Sequence, residues 1–134
     1  MSKLEALTKQ FGRALDRLGE ALSLPENDIV RDSAIQRFEF TLDLAWKTVK
    51  GWLEEKKGIT CSSPKECFRE AYRQKLVEYD EIWLELVDMR NETVHTYKEE
   101  LAAKVYSQLP LARKHLGELL ERLKQESDRQ GKLV

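Results

Sequence analysis

Arg90, Asn91, His95 and Tyr97 fall within one short stretch, DMRNETVHTYKEE, at residues 88–100. Together these side chains could cut a phosphodiester. An imidazole that titrates near neutral pH can take or give a proton. A guanidinium stays charged and forks onto phosphate oxygens, where it offsets the charge that builds on phosphorus. RNA brings its own nucleophile, the 2′-hydroxyl, so the chemistry calls for no metal and no cofactor. Asn91 could orient His95 or hold phosphate. The bland alternative is an amphipathic segment in which arginine and histidine are neighbours by chance. His115, the other histidine, stands in LARKHLGELL without an evident partner and reads as a surface residue.

Such a site depends on where the helix ends. On a continuous α-helix, five residues turn through roughly 500°, which leaves Arg90 and His95 about 140° apart. They converge more easily if the helix stops between them. Thr96 and Glu99 fit a capping box, which predicts a new helix starting there. A symmetric dimer would double the set of residues in one cleft.

The surrounding chain reads as helices. Leu4, Leu7, Phe11, Ala14, Leu18 and Leu22 make an apolar stripe at helical spacing, with Ser2 and Glu5 as its capping box. A long second helix is expected over about 28–57, its core stripe Ile35, Phe38, Leu42, Ala45, Val49 and Trp52, closed by Gly58. Its second line of polar residues, Asp32, Gln36, Glu39, Asp43, Lys47 and Lys50, reads as a solvated face. Ser63, Pro64 and Glu66 open a short helix to about 76. A fourth helix starts near Asp80 and carries the motif. Pro110 is expected to kink or break the last helical stretch, whose stripe is Ala112, Leu116, Leu119, Leu120 and Leu123. The tail 126–134 is polar and expected to fray. No segment alternates like a strand. The fold class is therefore all-α: a single-domain (1–134) up-and-down four-helix bundle with an additional short helix.

Composition agrees. A chain of 134 residues can bury a core unaided, and its Leu, Glu, Lys, Arg and Ala content favours helix. No apolar run is long enough to span a membrane, and MSKLEALTKQF lacks a secretory signal core, so a cytoplasmic protein is expected. Cys61 and Cys67 have no nearby histidine, make a poor zinc signature, and read as free thiols. The net charge of −1 does not fit a broad nucleic-acid binder. Residues 78–92 hold Glu78, Asp80, Glu81, Glu85, Asp88 and Glu92 against Arg90 alone, so RNA must be drawn in by charge from elsewhere. Large apolar residues off the main stripes, Phe40 and Trp46 among them, predict a second buried face such as a dimer interface.

RNETVHTY resembles the R-x4-H-x-Y signature of HEPN domains, and RDSAIQRFEFTLDLAWKTVKGWL resembles the second helix of their nucleotidyltransferase substrate-binding, HepT-like branch. The resemblance covers nearly the whole chain. It implies a HEPN-like helical-bundle homodimer with Arg90 and His95 in a composite cleft. It further implies a metal-independent ribonuclease toxin that acts on RNA. Its antitoxin would be a cognate minimal nucleotidyltransferase that transfers AMP onto Tyr97. An adduct there would place bulk and a phosphodiester beside Arg90 and exclude the RNA backbone. The resemblance also leaves room for a non-catalytic subunit that presents substrate or nucleotide to the transferase. A purely structural adaptor would require that Arg90 and His95 not converge.

Overall fold

The computed structural model describes residues 2–132, with side chains described as far as Ser127. Its α-helices are α1 (Lys3–Leu22), α2 (Asp28–Trp52), α3 (Pro64–Arg73), α4 (Ile82–Glu92) and α5 (Glu99–Lys132). The described residues contain no strand. Each early helix start has a side chain that satisfies a free backbone N–H. Ser2 Oγ accepts from Glu5 N at 3.1 Å, Asn27 Oδ1 from Val30 N at 2.8 Å, and Ser63 Oγ from Glu66 N at 3.3 Å. The Glu66 carboxylate reaches back to accept from the backbone N–H and hydroxyl of Ser62. These bonds hold its pKa below the ordinary 4.5.

α2 does not end as a plain α-helix. It widens into a π-helical turn, Leu53–Lys57, and closes at Gly58 with φ +65°, where Ile59 N bonds back to Leu53 O. Glycine suits that left-handed position because it carries no Cβ.

Side-chain neighbours set the helix directions. Gly19 lies against Arg113, Gly12 faces Leu120 and Gly117 faces Leu15, so α1 and α5 run antiparallel. Gly51 sits by Leu7 and Leu4, while Arg37 reaches Arg17 O at 2.7 Å, so α1 and α2 are antiparallel as well. Arg90 meets Asp43, and Thr96 lies near Asp32 and Gln36, so α4 opposes α2. The result is the expected up-and-down bundle of α1, α2, α4 and α5, with α3 packed on α4. Phe68 stacks on Trp83 at 5.3 Å, and Lys65 pairs with Asp88 at 2.7 Å.

The α2 stripe from Ile35 to Trp52 and the α5 stripe from Ala112 to Leu123 are buried as expected. In α1 the core positions are Phe11, Leu15, Leu18 and Ala21, with Leu15 rather than Ala14 at the centre. Trp46 packs against the core and Phe40 stays 54% exposed. One core donor is orphaned: Trp52 Nε1 is buried without a hydrogen-bond partner. Such a group costs about 1–3 kcal/mol.

Several expectations are corrected. Cys61 and Cys67 are not free thiols: they form a disulfide, Cα atoms 5.2 Å apart. The Ser63 cap turns the chain into α3 and brings both buried sulfurs to the same side. Pro110 does not break α5, which runs through it. Burial of Val105, Leu109, Ala112 and Leu116 holds both sides of that point, offsetting the roughly 3 kcal/mol that a mid-helix proline costs. His115 is not alone: its ring lies edge-on to Trp83 at 6.1 Å and is half-buried. The tail expected to fray is helical to Lys132; Leu133 and Val134 lie outside the described residues.

Candidate functional site

Arg90 occupies the last turn of α4, with 27% of its side chain exposed. Its Nε and Nη2 donate to Asp43 Oδ1 and Oδ2, each at 3.1 Å, across from α2. Glu39 Oε2 stands 3.9 Å from Nη1. Thr93, buried just beyond, completes the cradle: its hydroxyl donates to Arg90 O at 2.7 Å and faces Nη1 at 3.4 Å. Hydrogen bonding to Asp43 raises the Arg90 pKa above its ordinary value, against a smaller opposing effect of burial. Asp43 takes the side of the guanidinium fork. The end of the fork, one Nη1 and one Nη2 hydrogen, is the geometry that can grip two oxygens of a phosphate, though Nη1 here also donates to Thr93 Oγ1 and lies beside Glu39.

The polar line on α2 is therefore not simply a solvated face. Asp43 and Glu39 turn toward α4 and hold Arg90. Periodicity placed them on one line, but nothing in it said that a cation from residue 90 would face them. Asp32, Ser33, Gln36 and Glu39 go on to line a shallow groove with Thr96, about 480 Å³ in volume, next to the motif.

α4 stops at Glu92, and Thr93–His95 form a single 3₁₀ turn. The helix thus ends between Arg90 and His95, as the spacing required. The cause differs from the one expected. Thr96 does not cap α5: its hydroxyl donates to Thr93 O at 2.8 Å, Lys98 N bonds to His95 O, and α5 begins at Glu99. His95 and Tyr97 are both exposed, their rings edge-to-face at 6.0 Å, and Tyr97 is 75% exposed with Lys98 Nζ 6.0 Å above its ring. Asn91 is exposed and makes no hydrogen bond to His95. Within one chain, Thr93 links Arg90 to the turn that carries His95, and no hydrogen bond joins Arg90 to His95 directly.

An all-α bundle with an arginine anchored at the end of its fourth element, and a histidine on the turn that follows, defines a HEPN-like helical bundle. The chain belongs to the family described as nucleotidyltransferase substrate binding protein like, whose profile matches residues 7–125. It is 36% identical over 107 residues to a Haemophilus influenzae protein named probable ribonuclease HepT, covering 74% of this chain and 73% of that protein. A crystal structure from Thermus thermophilus is 38% identical and superposes with a TM-score of 0.81, covering 84% of this chain and 98% of the other. A second solved structure, from Haemophilus influenzae, is described as the fold of a substrate-binding domain of a nucleotidyltransferase. It is 29% identical, with a TM-score of 0.67, covering 90% of this chain and 96% of that one.

Proposed function

We propose that this protein is a HEPN-type, metal-independent endoribonuclease. It acts as the toxin of a pair whose antitoxin, a cognate nucleotidyltransferase, attaches AMP to Tyr97. The observation that carries the reading is Arg90: a partly exposed guanidinium whose plane is fixed by Asp43, on the turn before His95. In the reaction, the RNA 2′-hydroxyl attacks the adjacent phosphorus and the 5′-oxygen leaves with a proton. Arg90 offsets charge on the phosphoryl oxygens, and His95 takes or gives the proton. Asn91, exposed on the same turn of α4, supplies a further phosphate contact. A homodimer brings the two turns together across one cleft.

Tyr97 suits modification because it is exposed and close to His95. Its phenolic oxygen would attack the α-phosphorus of ATP on the transferase, release pyrophosphate and lose its proton. The adduct then sets a phosphodiester where RNA would lie, against the histidine and Lys98. The name of the ribonuclease relative supports the nuclease reading, and the description of the family supports a transferase as partner.

The second reading, a non-catalytic subunit presenting substrate to the transferase, draws on the same cradle. Glu39 and Asp43 neutralise Arg90 and repel a polyanion. The two readings separate on purified protein with single-stranded RNA and chelator present. The nuclease cleaves, and His95→Ala and Arg90→Ala abolish cleavage while leaving the far-UV spectrum unchanged. Absence of cleavage by the unmodified wild-type dimer rejects the nuclease and leaves the presenting subunit.

A further inference from the structure

A groove of about 550 Å³ opens at the other end of the bundle, between the first half of α1, the end of α2 and the last turns of α5. Leu123 lies 24 residues along α5 from Glu99, about 36 Å of helix from the motif, since an α-helix rises ~1.5 Å per residue. Nothing in the ribonuclease reading uses this groove.

Three independent features meet there. The first is Trp52, which lines the groove yet is only 2% exposed, with an indole N–H that has no acceptor. Buried polar groups without a partner are few in folded proteins, and each needs an explanation. The second is the backbone. Trp52 is the last residue of α2 before the π-helical turn Leu53–Lys57, a rare distortion that occurs frequently at functional sites. The third is charge. Lys9, Arg13, Lys56 and Lys124 come from three different elements to line the groove. Lys9, Arg13 and Lys56 form no ion pair among the described residues, and Lys124 makes only an exposed one, 3.7 Å from Glu121. Glu5, Asp16 and Glu55 line the groove as well, so the groove is mildly rather than strongly basic. That balance argues against a polyanion and for a ligand with one anionic group.

The floor adds the remaining requirement. Leu4 is half-buried and gives apolar surface, Leu123 and the Trp52 ring lie almost fully buried beneath it, and Gly12 leaves the α1 wall low. A Cβ at Gly12 would meet only Leu120, at an ordinary 3.6 Å, so core packing does not demand a glycine there. Lys57, exposed, holds its ammonium 5.6 Å above the Trp52 ring.

We propose that this groove binds a small phosphorylated molecule with a flat apolar body, of mononucleotide size. The phosphate oxygen accepts the Trp52 N–H, Arg13 and Lys56 hold the charge, and the body lies on Leu4 and Leu123. The site is independent of Arg90.

The test uses the full ¹⁵N-labelled chain. Its three tryptophans give three indole N–H resonances, and Trp52→Phe assigns one of them by loss. AMP, adenosine, inorganic phosphate and octanoate are titrated separately to about 10 mM, a range that captures millimolar dissociation constants. AMP moves the Trp52 resonance saturably and downfield and leaves those of Trp46 and Trp83 in place. Adenosine does not. Arg13→Glu with Lys56→Glu, both at positions outside the core, weakens AMP by at least about tenfold. Arg90→Ala leaves the titration unchanged, even if it abolishes cleavage. Equal affinity for inorganic phosphate overturns the apolar body. A response to octanoate but not to AMP overturns the phosphate. A Trp52 resonance that none of the four moves overturns the site.

Discussion

A guanidinium has five N–H donors, and what occupies them decides what Arg90 can do. Asp43 takes Nε and one hydrogen of Nη2, a fork-to-fork contact that fixes the plane of the group. The pair is partly exposed, so its net contribution to stability is small and its role is orientation. Asp43→Asn keeps the size of the side chain and removes its charge. The nuclease reading then predicts a fall in kcat of about tenfold or more, because Arg90 loses its fixed plane. It also predicts tighter RNA binding, because one repelling charge is gone. Steady-state cleavage with a fluorogenic RNA measures both, and unchanged kcat would remove Asp43 from the mechanism. A different residue carries backbone strain. Lys75 sits at φ +64° after α3, a region that costs a non-glycine residue about 1 kcal/mol. Arg122 secures that turn through the carbonyl oxygens of Lys75 and Leu76, not through the lysine side chain. Lys75→Gly is therefore expected to raise the unfolding free energy by about 0.5–1 kcal/mol in a urea titration.

Among the elements, α3 shows how the site is supported from behind. It touches α4 through the Phe68–Trp83 stack and the Lys65–Asp88 pair, and α4 carries Arg90. The Cys61–Cys67 disulfide ties the incoming loop to the first turn of α3. A loop that short restrains the unfolded chain modestly, by about 2 kcal/mol on the chain-entropy account. Reduction should lower the unfolding free energy by about that amount and leave the helix content intact. Denaturant curves with and without dithiothreitol check it, and a Cys61→Ser, Cys67→Ser protein should match the reduced curve. α5 makes the complementary case. Its buried face on both sides of Pro110 carries it through a residue that would stop an isolated helix.

For the whole molecule, the nuclease reading requires that a second copy bring a second Arg90 and His95 to the same cleft. Phe40 is 54% exposed one turn before Asp43, and Val94 and Tyr97 are exposed on the motif turn. Large apolar groups around a polar site are what a second copy would cover. The nuclease reading predicts that the wild type elutes as a dimer, twice 15.7 kDa, under light scattering. Phe40→Asp should shift it to monomer and abolish cleavage without unfolding the bundle. A Phe40→Asp protein that stays dimeric would move the interface elsewhere.

Much of this was legible in one dimension because it depends on near neighbours in the chain. The α2 and α5 stripes, the caps at Ser2 and Ser63, the left-handed stop at Gly58 and the spacing of Arg90, His95 and Tyr97 all follow from helical periodicity or local hydrogen bonding. Cooperative packing decided the rest. Leu15 displaced Ala14 because a core position is chosen by what faces it. Pro110 stayed helical because burial outweighed a lost hydrogen bond. Cys61 met Cys67 because the turn into α3 brought two sulfurs together. The Arg90–Asp43 pair joins residues 47 apart, and the Trp52 groove needs three helices, so neither exists until the bundle has formed. The sequence by itself determined which helices form and which side chains could act. Only the tertiary structure decided which carboxylate would meet the arginine, because that partner is chosen by proximity in space.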